Sequence, residues 1–194
     1  MVQANLPNIA NEEVTNERGV FKSAWARYMF ELWQRVGGGD LYSLGGLLYS
    51  STTTVGNIGG GTDDLITYSM PKNTMHNNTD VLEIIAFGTY ANNTNDKTLS
   101  LYFDGTLIYS TTVKKPNNTS WQLTCRIMRI TATTQKVTVS YAGEALGGAI
   151  NTAYTATTVD LTIANIIKCT GLSGGSATND IVQQGLIIKL FPAF

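Results

Sequence analysis

Residues 99–109 read Leu-Ser-Leu-Tyr-Phe-Asp-Gly-Thr-Leu-Ile-Tyr, and this stretch decides the fold class. Two apolar-rich runs, Leu99 to Phe103 and Thr106 to Tyr109, are joined by Asp104-Gly105. That dipeptide supplies the positive φ angles of a type I′ turn, so the segment predicts a β-hairpin. The extended pattern continues on both sides. Leu65 to Met70, Val81 to Tyr90, Thr106 to Val113, Trp121 to Thr131, Lys136 to Tyr141, Tyr154 to Cys169 and Ile181 to Phe191 all read as strands, the Tyr154 to Cys169 run being long enough for two. Thr133-Thr134 is the expected turn of a second hairpin, and Asn-Asn pairs at 77–78, 92–93 and 117–118 fall between strands, where Asn tolerates the left-handed region. About eight strands without helical patterns between them predict a mainly β chain, an antiparallel β-sandwich of jelly-roll-like type.

Composition agrees. The chain holds 27 Thr and 16 Asn, which favour strands and turns over helices. Charged residues are 14% of the chain, where roughly a quarter is usual. With a net charge of −1 the chain lacks the basic field that holds a phosphate backbone, which argues against nucleic acid as a partner. No apolar run reaches the roughly 18 residues of a membrane span, so membrane insertion is not expected, and the first residues do not have the basic-then-apolar pattern of a secretory signal.

The charge is unevenly spread, with nine charged residues in 1–44 and eighteen in 45–194. That asymmetry suggests two parts: an N-terminal anchoring arm and helix at 1–40, then a β-sandwich at 41–194. The helix is expected over Ser23 to Val36, capped by Ser23 and ended by Gly37, Gly38 and Gly39. Trp25, Tyr28, Met29, Leu32 and Val36 form an apolar stripe, while Phe30 and Trp33 lie off it. So much aromatic surface calls for cover on more than one side. The helix could plug the end of its own sandwich, insert into another subunit, or bundle with two copies of itself.

Catalytic chemistry is sparse. His76 is the lone histidine, in a polar loop, and with Cys125 and Cys169 it offers too few donors for zinc. The two cysteines sit in apolar strand-like runs and read as buried thiols, with a single bridge left open. Asp63, Asp64, Asp80, Asp104, Glu144, Asp160 and Asp180 fall at turns or strand ends. Glu83 stands inside an apolar strand; an inward position would require a partner, Arg126 or Arg129. Asn92, Asn93, Asn95 and Asp96 cluster oxygen ligands but lack the ladder and closing glutamate of a calcium loop. Gly59-Gly60-Gly61 precedes two aspartates rather than a helix, which argues against a nucleotide loop. No catalytic residue, metal site or cofactor is expected.

Three segments carry a resemblance. ERGVFKSAWARYMFELWQRVGG at 17–38 resembles the N-terminal anchoring segments of tailed-bacteriophage virion proteins. The stretches ITYSMPKNTMHNNTDVLEIIAFGTYANNTNDKTLSLYFDG at 66–105 and ANIIKCTGLSGGSATNDIVQQGLIIKLFP at 164–192 look like the β domains of phage short-fibre, receptor-binding and capsid-decoration proteins. The resemblance implies a non-enzymatic virion component, made in the host cytoplasm and commonly a homotrimer. In that organisation Trp25, Tyr28, Met29, Phe30, Leu32, Trp33 and Val36 form an assembly anchor on a capsid, portal or tail protein, and the sandwich projects as a short fibre or decoration knob. The alternative is a carbohydrate-binding receptor-recognition module of a tail fibre, with Tyr90, Tyr102, Tyr109 and Trp121 as candidate contacts to a host surface glycan. A glycan-degrading enzyme would need two carboxylates across a cleft.

Overall fold

The Asp104-Gly105 turn forms as the dipeptide predicts, with φ of +47° and +75° at its two residues. It closes one hairpin of an all-β arrangement, seen in a computed structural model that describes residues 46–113, 119–143 and 150–193, with Ile150 and Asn151 as backbone only. The expected helix Ser23 to Val36 and every anchor side chain on it lie outside the described residues. The strands are β1 (Gly46–Ser51), β2 (Val55–Gly56), β3 (Thr62–Met70), β4 (Val81–Tyr90), β5 (Lys97–Phe103), β6 (Thr106–Val113), β7 (Ser120–Thr131), β8 (Thr134–Gly143), β9 (Ile150–Thr157), β10 (Asn165–Ser173) and β11 (Ile181–Phe191).

Two antiparallel sheets result. One has seven strands in the order β1-β11-β4-β7-β8-β9, with β2 also on β11; the other has four, β3-β10-β5-β6. The Tyr154 to Cys169 run does divide, into β9 and β10, because Asp160 turns the chain by accepting from the amide and hydroxyl of Thr162. The second hairpin turns on Ala132-Thr133, one residue earlier than expected. The left-handed residues that are not glycine are Asn73, Thr79, Asp104 and Asn179, so none of the Asn-Asn pairs among the described residues uses that conformation.

Alternation places the core. On β4 and β7 the inward set is Leu82, Ile84 and Ala86 with Leu123, Cys125 and Ile127, and across from them stand Leu99, Leu101, Phe103, Ile167 and Cys169 of the smaller sheet, all buried. Both thiols are free and buried, and burial pushes the Cys169 thiol up to about 12. Tyr90 and Tyr141 share a buried hydroxyl contact of 3.0 Å, and burial raises both phenols. Glu83 corrects one conditional expectation: it lies on the outer face, where Arg126 on the adjoining strand binds it at 2.9 Å. Arg129 instead donates to the carbonyls of Met75 and His76.

The Asn-rich loop holds a cation, but it is covalent. Lys97 is fully buried, and its ammonium donates to Asn93 Oδ1 at 2.6 Å and the Asn95 carbonyl at 2.9 Å. Asp180, also fully buried, accepts from Asn93, Asn95 and Ser173. Oxygens that could have served calcium are thus organised around an ammonium. Burial opposes the charge on Asp180, but the donors Ser173, Asn95 and Asn93 and the Lys97 charge outweigh it and hold the carboxyl below its ordinary range. Its contribution to stability is therefore complete above about pH 4, the ordinary carboxylate range, and is lost as pH falls through its lowered folded-state value. Asp180→Asn should cost about 3 kcal/mol at neutral pH, as for breaking a buried charged network. The gap to wild type should narrow steadily below about pH 4 in denaturant unfolding.

Candidate functional site

The outer face of the larger sheet is where a ligand site is built, and a β-bulge builds it. Along β11, Gln183 pairs with Gly88 and Gly185 with Phe87, so Gln184 is an extra residue without a partner on β4. The bulge is held from inside. Gln183 is fully buried; its Oε1 accepts the Ile66 amide of the opposite sheet at 3.0 Å, and its Nε2 donates to the Gly185 carbonyl at 3.1 Å. The result turns Gln184 outward to solvent.

Gly185 gives the site its aromatic. A Cβ there would stand 2.3 Å from Cζ of Phe87 and 2.7 and 2.9 Å from its Cε atoms. The phenyl therefore lies over the bare backbone of β11, in a seat that only glycine leaves open, and 36% of Phe87 stays exposed. Two further glycines seat Trp121 on the core side of the same strands. Trp121 is flanked in register by Gly88 and Gly143, and a Cβ on Gly88 would come within 2.7 Å of the indole and 1.9 Å of the Val182 carbonyl. The indole is buried, and its N–H has no partner among the described residues.

Together these residues line an open depression of about 590 Å³. Phe87 and Thr89 come from β4, Ser120 and Gln122 from β7, Ala142 from β8, and Gln184 from the bulge. Among the described residues the lining thus combines one aromatic ring, two primary amides and two hydroxyls, with no carboxylate, imidazole, thiol or ammonium. Such groups can both donate and accept hydrogen bonds at neutral charge, but they include no strong acid, base or activated nucleophile.

Three carboxylates elsewhere among the described residues are engaged in structural contacts. Asp63 accepts the Ile58 amide, Asp64 binds Lys168 at 2.7 Å, and Asp80 accepts the amides of Asn77 and Ala193. Among the described residues no cluster of His, Cys, Asp and Glu could hold a metal ion.

The aromatics expected to contact a glycan are distributed differently. Tyr90 and Tyr109 are core residues, and so is Trp121, whose ring shares the core side with Leu123 and Cys125 beside Tyr90. Tyr102 is half-buried, with the Lys168 ammonium 6.0 Å from its ring centre. Tyr102 and Tyr109 do not share a face, because a register shift between Leu101 and Tyr102 pairs Tyr109 with the inward Leu101. These four positions therefore do not make a common stacking surface. Phe87, Gln122 and Gln184 were missed, although Gly185 inside an apolar strand run is the signal that marks a bulge.

Comparison with known proteins gives distant likenesses only. No family model matches the chain, and no curated protein matches it. Among solved structures, the sugar-binding C-terminal domain of EclA is 15% identical, with a TM-score of 0.36 over 78% of this chain and 84% of its own. The CBM2 module of the evolved Dit of Lactobacillus casei BL23 phage J-1 is 11% identical, with a TM-score of 0.38 over 77% and 98%. Dimeric latent PorU from Porphyromonas gingivalis is 12% identical, with a TM-score of 0.30 over 79% of this chain and 14% of its own. At these scores the likenesses do not bear on what this chain binds.

If the bulge builds the site, Gly185→Ala should displace the phenyl and cost about 1–3 kcal/mol, as for inserting a methyl into a filled position. Gln183→Leu should cost a similar amount, about 1–3 kcal/mol, by leaving the Ile66 amide unpaired. Equilibrium unfolding of both variants checks this; wild-type stability in each would remove the bulge from the account.

Proposed function

We propose that this chain is a non-enzymatic recognition module whose β-sandwich binds a neutral, hydroxyl-rich ligand, a glycan, in the depression around Phe87. The observation that carries the reading is the lining itself. A sugar ring has an apolar C–H face and a rim of hydroxyls, each of which both donates and accepts. Phe87 offers a ring seated on Gly185, Gln122 and Gln184 offer amides with both polarities, and Thr89 and Ser120 offer hydroxyls.

The broader reading is a structural component of a phage particle, docking through residues 1–40 on a capsid, portal or tail protein and projecting the sandwich as a homotrimeric short fibre or decoration knob. The sequence resemblance supports it, and so does the strand order. Setting the β8–β9 hairpin aside, β1-β11-β4-β7 over β3-β10-β5-β6 interleaves early and late strands in the manner of a jelly roll. The two readings are compatible, since a fibre knob can recognise a host glycan.

An array of neutral and acidic glycans should yield binders in the neutral set, with Phe87→Ala weakening the best of them at least tenfold. Loss of one stacking aromatic, worth about 1.5 kcal/mol, corresponds to that factor. A folded wild-type chain that binds no glycan would overturn the recognition reading. For the broader reading, a chain lacking residues 1–40 should stay folded and oligomeric yet fail to join particles. Normal incorporation would remove the anchor role.

A further inference from the structure

The four strands that end the two sheets differ in how they are protected. Natural proteins blunt a free edge with charge, proline, bulges or irregular pairing, because its open amides and carbonyls invite another strand. Edge β3 carries adjacent Asp63 and Asp64. Edge β1 is broken by a register shift between Leu47 and Tyr49 and starts on Gly46 at φ +104°. Edge β6 is displaced by the shift at Leu101 and Tyr102. Edge β9 has none of these devices. It runs Ile-Asn-Thr-Ala-Tyr-Thr-Ala-Thr, without charge or proline, and pairs with β8 without a break from Gln135 with Thr157 to Ala142 with Ile150. Among the described residues its other side has no strand partner.

The middle of this strand is exposed on both faces as well, although Thr155 is half-buried and Thr157 buried on the core side. Tyr154, on the outer face opposite Thr138, is 65% exposed. Ala153 shares the core side with the buried Val139 it pairs with, yet is itself exposed.

We propose that β9 is a self-pairing edge. Two copies join antiparallel along β9 about a two-fold axis at Tyr154, so that the seven-stranded sheet of one molecule continues into the next. A second copy fits because this register is self-consistent. With Tyr154 on the axis, Ala153 meets Thr155 of the other copy on the core side, and Thr152 meets Ala156 on the outer side. Faces therefore match as the side-chain period of two requires. No like charges meet across the axis, small residues oppose one another, and the two tyrosines form a cross-strand aromatic pair. The contact is three strands from Phe87 along the sheet order and leaves the depression open. It is independent of the glycan reading, and a threefold knob carrying it would associate with a second knob.

The test uses the full chain. Opposed Cα atoms of an antiparallel pair lie about 4.5–5.5 Å apart, within the reach of a disulfide. Tyr154→Cys should therefore give disulfide-linked dimers under mild oxidation, while Cys125 and Cys169 stay buried. In that background Thr152→Glu with Ala156→Glu sets like charges across the axis and should reduce dimer yield at least fivefold. Thr152→Lys with Ala156→Glu sets opposite charges there and should retain it. All three positions are exposed, and circular dichroism confirms that each variant is folded. No cross-link from folded Tyr154→Cys, or equal yields from the two charge variants, would overturn the proposal, including the case in which another protein's strand occupies β9.

Discussion

One buried amide side chain links most of the architecture. Gln183 reaches from β11 into the core, takes the Ile66 amide of the opposite sheet and returns a hydrogen bond to Gly185. β11 is also the strand on which β1, β2 and β4 all pair. A buried polar group must find partners or forfeit the free energy of its lost hydration. Here those partners are available only if the strand bulges at Gln184. The requirement to satisfy Gln183 inside therefore fixes the geometry outside: Gln184 turns to solvent, and Gly185 presents bare backbone for the Phe87 ring.

The outer face above this strand is organised in rows across β11, β4 and β7. Phe191, Val81 and Met128 form one row; Lys189, Glu83 and Arg126 the next; Ile187, Ile85 and Thr124 a third; and Phe87 with Gln122 a fourth. Among the described residues the charge on this face is confined to the first two rows, Lys136 of β8 extending the first, so that the nearest, in the second row, is two pleats from the depression. At about 3.3 Å per residue that is roughly 13 Å along a strand, beyond the Debye length of about 8 Å at physiological ionic strength. The described part of the site is thereby left to uncharged chemistry. Just past the near end of the same strands, where the Ala91 amide meets the Asp180 carbonyl, charge is instead buried, with Lys97 and Asp180 lying among amides and a hydroxyl.

Much of the fold could be read in the residues. Alternation located most of the strands, though not β1 or the first residues of β9, Asp104-Gly105 formed the turn it predicts, and the apolar context of Cys125 and Cys169 predicted buried thiols; these are local signals with short-range physical causes. The limits are equally physical. A two-residue strand such as β2 has no periodicity to detect, and the Tyr154 to Cys169 run hides its break in a Thr-rich segment whose turn depends on Asp160. Which aromatics reach solvent depends on register, and a single shift at Leu101 moved Tyr102 and Tyr109 to opposite faces. The site was legible only as an isolated Gly185 after two glutamines. Its meaning came from what a Cβ there would strike on the neighbouring strand, and that is a tertiary fact.

The central claim is that the depression around Phe87 is where this chain meets a neutral glycan. Backbone amide shifts of the isotopically labelled full chain, followed while a neutral oligosaccharide binder is titrated in, test it most directly. The account predicts saturable changes centred on Phe87, Gln122 and Gln184, with Val81, Met128 and Phe191 at the opposite end of the same strands unmoved. Saturable changes centred elsewhere, with these three residues silent, would contradict it.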